Sequence, residues 1–177
     1  MSATIGLMQA SDSWDISFHL PTLALLDREF HLRTIVELGT RGGISTTALI
    51  EAARVIGGSV LSVDLAPCLE ARQRIEKTGL ANHWTFIQSP DMILGDDEIP
   101  PAIDLLFIDT SHQYTHTRQE LENFGRRVRS RGWIALHDYT SYEGVPWAVH
   151  DLVASLETAP ALYPFLHQNG LGLLRMA

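Results

Sequence analysis

One repeated alternation constrains this chain more than any other feature. Short apolar runs at Thr34–Leu38, Ser59–Asp64, Trp84–Gln88, Ile103–Asp109 and Trp133–His137 alternate with segments of helical pattern. Strands separated by helices are joined by crossovers, so they lie parallel in a sheet covered on both faces. Ile103–Asp109 (IDLLFID) is the most apolar run and takes the centre of that sheet. Near the C-terminus, Asn169-Gly170 separates the apolar runs Ala161–His167 and Leu171–Met176. Asn-Gly in that setting is a strong hairpin signal, so the sheet closes with an antiparallel pair. The expected fold is α/β, a Rossmann-like, seven-stranded, mostly parallel sheet with helices on both faces and an antiparallel C-terminal strand. Residues 1–177 read as one domain, since 177 residues suffice for one sizeable core.

The helices follow from periodicity and punctuation. The first is expected over Ile16–Phe30, interrupted near Pro21. Ile44–Ile56 follows, with Ser45 near its start and Gly57-Gly58 ending it. Leu69–Lys77 is a polar helix closed by Gly79. Gln113–Arg129 is strongly helical, with Tyr114, Thr117, Leu121, Phe124 and Val128 on one face. Val145–Leu156 is the last, with Pro146 at a tolerated early position.

Composition narrows the function classes. The chain is 45% apolar and 19% charged, as a globular protein is. Its net charge of -8, with no basic stripe, argues against a nucleic-acid partner. The short cluster Arg126, Arg127, Arg129 and Arg131 reads as the positive end of a helix. No apolar stretch approaches the roughly 20 residues of a membrane span, and Met1–Ala10 does not read as a signal peptide. Cys68 is the only cysteine, which excludes an intrachain disulfide and fits a reducing cytoplasm.

Open parallel sheets bind ligands at the C-terminal ends of their strands. That directs attention to Glu37–Gly43, Asp64, Ser89–Asp91, Asp109–His112 and His137–Asp138. Glu37-Leu38-Gly39-Thr40-Arg41-Gly42-Gly43-Ile44-Ser45 is a glycine-rich strand-to-helix turn without the G-x-G-x-x-G spacing of a dinucleotide site. An acid at Glu37 would repel a pyrophosphate but suits a cationic ligand; a tight turn with a solvated acid stays open as the simpler reading. Asp64, ending the next strand, can accept both ribose hydroxyls of a nucleoside. Asp109, His137 and Asp138 lie at neighbouring strand ends. Their oxygens suit Mg²⁺, and the histidine shifts the preference toward Mn²⁺ or Fe²⁺. His112 is within reach as a general base. Capping by Asp109 or Ser111, beside a buried histidine, is the structural alternative. His112 and His116 are four apart and could share a helix face as zinc ligands do, but no H-E-x-x-H pattern accompanies them.

From Thr34 to Val153 the sequence resembles the class I S-adenosylmethionine (SAM)-dependent methyltransferases. Within them it is most similar to the branch of macrocin-type sugar O-methyltransferases and cephalosporin hydroxylase-like proteins. The carrying residues are VELGTRGGIS, SVDLAP, LLFIDTSHQY with ELENF after it, and GWIALHDYTSYEGVPWAV. The resemblance implies a SAM site of Glu37, Gly39, Thr40, Gly43, Ser45, Asp64, Ser89, Asp91 and Asp109. Glu37 and Gly39 would lie against the methionine part, Asp64 on the ribose, and Gln88-Ser89-Pro90-Asp91 beside the adenine. It implies a divalent metal, Mg²⁺ or else Mn²⁺ or Fe²⁺, on Asp109, His137 and Asp138, and His112 as the catalytic base. The implied activity is metal-assisted O-methylation of a small-molecule hydroxyl. The alternative is a regulatory or hydroxylase-like protein that binds the cofactor without methyl transfer. The loops Asp91–Pro101 and Tyr139–Val145 are the only candidate lids, so a homo-oligomer could supply the missing walls of an acceptor site.

Overall fold

The structure is a computed structural model and describes residues 15–177. Met1–Ala10, which does not read as a signal peptide in the sequence, lies outside the described residues. The strands are β1 (Thr34–Leu38), β2 (Ser59–Asp64), β3 (Trp84–Gln88), β4 (Ile103–Ile108), β5 (Val128–His137), β6 (Ala161–Phe165) and β7 (Leu171–Arg175). The helices are α1 (Leu20–Phe30), α2 (Ile44–Val55), α3 (Leu69–Thr78), α4 (Tyr114–Asn123) and α5 (Gly144–Ser155).

The sheet runs β3-β2-β1-β4-β5-β7-β6. Strands β1 to β5 are mutually parallel, and β7 is antiparallel to both β5 and β6. Strand β4 sits in the middle, and all six of its residues are buried. Strict alternation of side chains divides the core into two layers. Ile35, Leu105, Phe107, Trp133 and Ala135 pack against α1 and α2. Val36, Leu38, Leu106, Ile108, Ile134 and Leu136 pack against Leu121 and Phe124, at the end of α4, and against Val145, Ala148 and Val149 of α5. Each fully buried aliphatic or aromatic side chain is worth about 1.5–3 kcal/mol, so both layers are needed to hold the strand ends in place.

Three elements differ from the sequence expectation. Helix α1 starts at Leu20 and is uninterrupted, because Pro21 occupies its first turn, where a missing N–H costs nothing. Helix α4 stops at Asn123; a 3-10 turn at Gly125–Arg127 follows, and β5 begins at Val128. Gly125 is a poor helix residue, and Val128 pairs with Ile103 at the start of β4. The arginine cluster is therefore no helix end. Arg127 donates to the Ile99 carbonyl at 3.0 Å, and Arg129 pairs with Asp104 at 2.6 Å. The terminal hairpin is present, but its connection spans 166–170, with Gln168, Asn169 and Gly170 all at positive φ.

Candidate active site

The glycine turn after β1 is held by the strands on either side. The Gly39 N–H donates to Val63 O, and the Asp109 N–H donates to Leu38 O, both at 2.9 Å. Gly39 has φ of +89°, and a Cβ there would lie 2.0 Å from the carbonyl oxygen of Asp109. Only glycine lets β1 and β4 approach so closely at this point.

Two carboxylates fix this turn from different sides. Glu37 is fully buried. It accepts hydrogen bonds from the hydroxyls of Ser45, Thr46 and Ser62, each at 2.6 Å. Ser62 in turn accepts from the indole of Trp84 at 2.9 Å. Burial pushes the Glu37 carboxyl up to about 7, against the pull of its three hydroxyl donors. Asp64 accepts from the backbone N–H groups of Thr40 at 2.8 Å, Arg41 at 3.0 Å and Ala66 at 2.8 Å. Burial opposes the Asp64 charge, but the donors of Arg41, Ala66 and Thr40 outweigh it and hold its carboxyl below the usual range.

Two adjoining cavities open at these strand ends. The larger, about 370 Å³, is lined by Asp64, Ser89, Asp91, Asp109, Thr110 and His116, among others. The smaller, about 280 Å³, is lined by Thr40, Ser45, Glu70, Arg74 and others. Gly39, Arg41 and Asp109 line both. Of the nine residues in the expected cofactor set, Gly39, Thr40, Ser45, Asp64, Ser89, Asp91 and Asp109 are cavity-lining. Glu37 lies behind the turn, and Gly43 caps α2 in left-handed backbone against Ala71.

Next to the cavities, the ends of β4 and β5 bring Asp109, His112, His137 and Asp138 together. The His137 Nε2 position is taken by the backbone carbonyl of Asp15 at 2.8 Å, which fixes the proton there. The Nδ1 atom then faces Asp109 at 3.4 Å and Asp138 at 3.3 Å, in ion-pair range but without a hydrogen bond. The Oδ1 atom of Asp138 is also buried without a partner. Burial disfavours the His137 imidazolium, but Asp109 and Asp138 outweigh it and push the pKa up to about 10. The Asp138 carboxyl is held down despite its own burial, mainly by His137. His112 Nε2 lies 2.6 Å from Asp138 Oδ2 and 3.6 Å from Asp109 Oδ1, and its ring packs on Tyr142. One ligand atom from each of Asp109, His137 and Asp138 falls within 4.8 Å of the others. The Nδ1 and Oδ1 atoms make no hydrogen bond, and a divalent cation held by Asp109, His137 and Asp138 would take the place of the Nδ1 proton.

A second cluster has no contiguous motif in the sequence. Asp91, His116 and Glu120 converge beside the larger cavity, which Asp91 and His116 line. His116 Nε2 lies 3.0 Å from Asp91 and 3.5 Å from Glu120. Glu120 draws the His116 pKa up to about 9, and burial lifts the Glu120 carboxyl to about 7. The signal available was the spacing of four between His116 and Glu120, which puts both on one helix face. The companion, Asp91, is distant in sequence. His112 and His116 face different carboxylates and share no site.

A family model described as a methyltransferase domain matches residues 36–139, more than half of the chain. This chain belongs to that methyltransferase-domain family. The matched span runs from β1 to Tyr139, so it contains the glycine turn, Asp64 and the Asp109–Asp138 cluster. Its structure is similar to SAH-bound PaMTH1 of Podospora anserina, with TM-score 0.78 and 12% identity, covering 100% of this chain and 89% of that one. It is similar to the O-methyltransferase of Bacillus cereus in complex with SAH, with TM-score 0.74, 18% identity and coverage of 99% and 91%. TomG of Streptomyces achromogenes, an O-methyltransferase involved in tomaymycin synthesis and solved with SAM, gives TM-score 0.72, 15% identity and coverage of 100% and 91%. At such identities the likeness is one of fold. In sequence, the chain is 25% identical over 136 residues to an uncharacterized protein of Acanthamoeba polyphaga mimivirus, a match over 70% of this chain. The chain spans 61% of the length of that relative.

Proposed function

We propose that this methyltransferase moves the methyl group of SAM to a hydroxyl of a small molecule, with a divalent cation at Asp109, His137 and Asp138. The observation that carries the reading is the meeting of an Asp–His–His–Asp cluster with a cavity that Asp64 also lines. Three backbone donors orient Asp64, which leaves it acceptor capacity for a ribose hydroxyl. The fold of SAM- and SAH-bound neighbours supports the same cofactor for this chain.

In the reaction, a bond forms between the acceptor oxygen and the methyl carbon as the carbon–sulfur bond breaks. The hydroxyl proton must leave, and S-adenosylhomocysteine is released. A carboxylate only accepts, so the 2.6 Å contact with Asp138 puts the His112 proton on Nε2 and leaves a lone pair on Nδ1. His112 takes the acceptor proton at Nδ1, and Asp138 stabilises the imidazolium so formed. A bound Mg²⁺, Mn²⁺ or Fe²⁺ would lower the acceptor's pKa and help orient it. Gly39 and the Asp64-held turn contribute positioning.

The acceptor is read as a small molecule, a reading supported by structural neighbours described as O-methyltransferases, TomG of tomaymycin synthesis among them. Residues 1–177 are read as one catalytic domain. Among the described residues no helix is long and apolar enough to cross a membrane. Cys68 is buried, and burial together with neighbouring Asp64 pushes its thiol up to about 12, so it is unreactive and compatible with the proposed cytoplasmic setting. A homo-oligomer is proposed to complete the acceptor site.

The test is incubation with methyl-labelled SAM and a panel of phenolic, catechol and sugar hydroxyls, with Mg²⁺ or Mn²⁺. Label on a hydroxyl oxygen is the expected outcome. Binding of SAM with no transfer to any acceptor class would favour the binding-protein alternative.

A further inference from the structure

We infer that Asp91, His116 and Glu120 form a second metal site, separate from the Asp109 cluster, that takes a transition-metal dication such as Zn²⁺. The three side chains come from two places. His116 and Glu120 lie one turn apart on α4, and Asp91 comes from the 3-10 turn after β3. One ligand atom from each lies within 4.8 Å of the other two.

Glu120 is the decisive member. It has no exposed surface, which is unusual for a glutamate. One oxygen, Oε1, accepts the hydroxyl of Thr110 at 2.7 Å and faces His116. The other, Oε2, is buried without any hydrogen-bonding partner. A buried carboxylate oxygen left unpaired costs stability unless a cation or proton meets it. His116 pairs with Asp91 and with the Oε1 side of Glu120 but leaves Oε2 unmet, and a dication that displaced the His116 proton would compensate both carboxylates at once.

The spacing suits an ion. A tetrahedral metal with bonds of about 2.0–2.1 Å to nitrogen and oxygen keeps its ligand atoms roughly 3.3 Å apart. His116 Nε2 stands 3.0 Å from Asp91 Oδ2 and 3.5 Å from Glu120 Oε1. Imidazole with two carboxylates suits Zn²⁺, Mn²⁺ or Fe²⁺ better than Mg²⁺, which prefers oxygen and retains its waters. Thr110, through its bond to Glu120, orients a ligand from behind. Asp91 and His116 also line the larger cavity, so a fourth position is open on that side. An ion here would tie the turn after β3 to α4.

The inference does not depend on methyl transfer, and its test uses the metal alone. Tag-free, chelator-stripped protein carrying Asp109→Asn and Asp138→Asn is titrated with Zn²⁺, with Mg²⁺ as comparison. One equivalent of Zn²⁺ should bind, with no matching uptake of Mg²⁺. Adding His116→Gln, a substitution at a partly exposed position, should abolish that equivalent while the far-UV spectrum and melting curve stay those of the parent. Co²⁺ should give visible d–d bands in the parent that His116→Gln removes. No Zn²⁺ uptake by the folded double variant would overturn the inference. So would uptake that survives His116→Gln.

Discussion

His112 Nε2 lies 2.6 Å from Asp138 Oδ2, and both residues hold left-handed backbone, with φ of +59° and +57°. Non-glycine residues rarely adopt that conformation, at a cost of order 1–3 kcal/mol each, and it persists where the surroundings impose it. The strain falls on the two residues that would move the proton. His112→Ala should therefore lower turnover by about 10²–10⁴-fold while S-adenosylhomocysteine affinity stays near normal. Turnover and calorimetric affinity measured on the same preparation separate the outcomes; a joint loss would point to a structural role for His112.

The unpartnered Nδ1 of His137 and Oδ1 of Asp138 lead to a prediction about metal removal. Treatment with a strong chelator should suppress methyl transfer, and Mg²⁺ or Mn²⁺ should restore it. Asp109→Asn should raise the cation concentration needed for half-maximal restoration. Turnover indifferent to chelation would remove the metal from the mechanism.

Gly39 is the narrowest fit in the turn. Gly39→Ala places a methyl group 2.0 Å from Asp109 O and forces alanine to φ of +89°. A loss of about 3 kcal/mol is expected, which lowers Tm by roughly 6–12 °C for a domain of this size. Thermal melts decide it, and an unchanged Tm would mean that β1 and β4 do not pack as described.

Asp27 supplies a pH prediction far from the site. It is fully buried, neither carboxylate oxygen has a hydrogen-bonding partner, and burial, with a smaller push from Asp104, lifts its pKa to about 8 from an unfolded value of 3.8. Between those values the folded state keeps a proton that the unfolded chain has lost. Stability therefore falls as pH rises across this window, at up to about 1.4 kcal/mol per unit from this group. Asp27→Asn should remove that slope, so its advantage over the parent should be larger at pH 8 than at pH 5. Denaturant unfolding at both values measures it. Glu37 and Glu120 slope the same way but are present in both proteins, so the difference isolates Asp27.

The strands and their polar ends were legible because burial on both faces writes continuous apolar runs, and an acid interrupting such a run stands out. Asp64, Asp109 and Asp138 were found that way. The role of Glu37 was not legible. Its side chain points to the α2 face of the sheet, where the hydroxyls of Ser45, Thr46 and Ser62 surround it, and a linear reading cannot show that enclosure. The sequence extends α4 to Arg129 because Phe124 and Val128 continue the apolar spacing of Leu121. Gly125 and the pairing of Val128 with Ile103 end it instead. No single spacing in the sequence marks the Asp91–His116–Glu120 cluster, because the fold brings Asp91 to the helix.

The most direct test of the proposed cofactor site is calorimetric titration with S-adenosylhomocysteine, comparing the parent with Asp64→Ala and with Asp64→Asn as a milder control for the turn. Micromolar binding by the parent, lost in Asp64→Ala, is the result that the geometry predicts. No binding by folded parent protein would contradict a methyltransferase that uses this cavity for SAM.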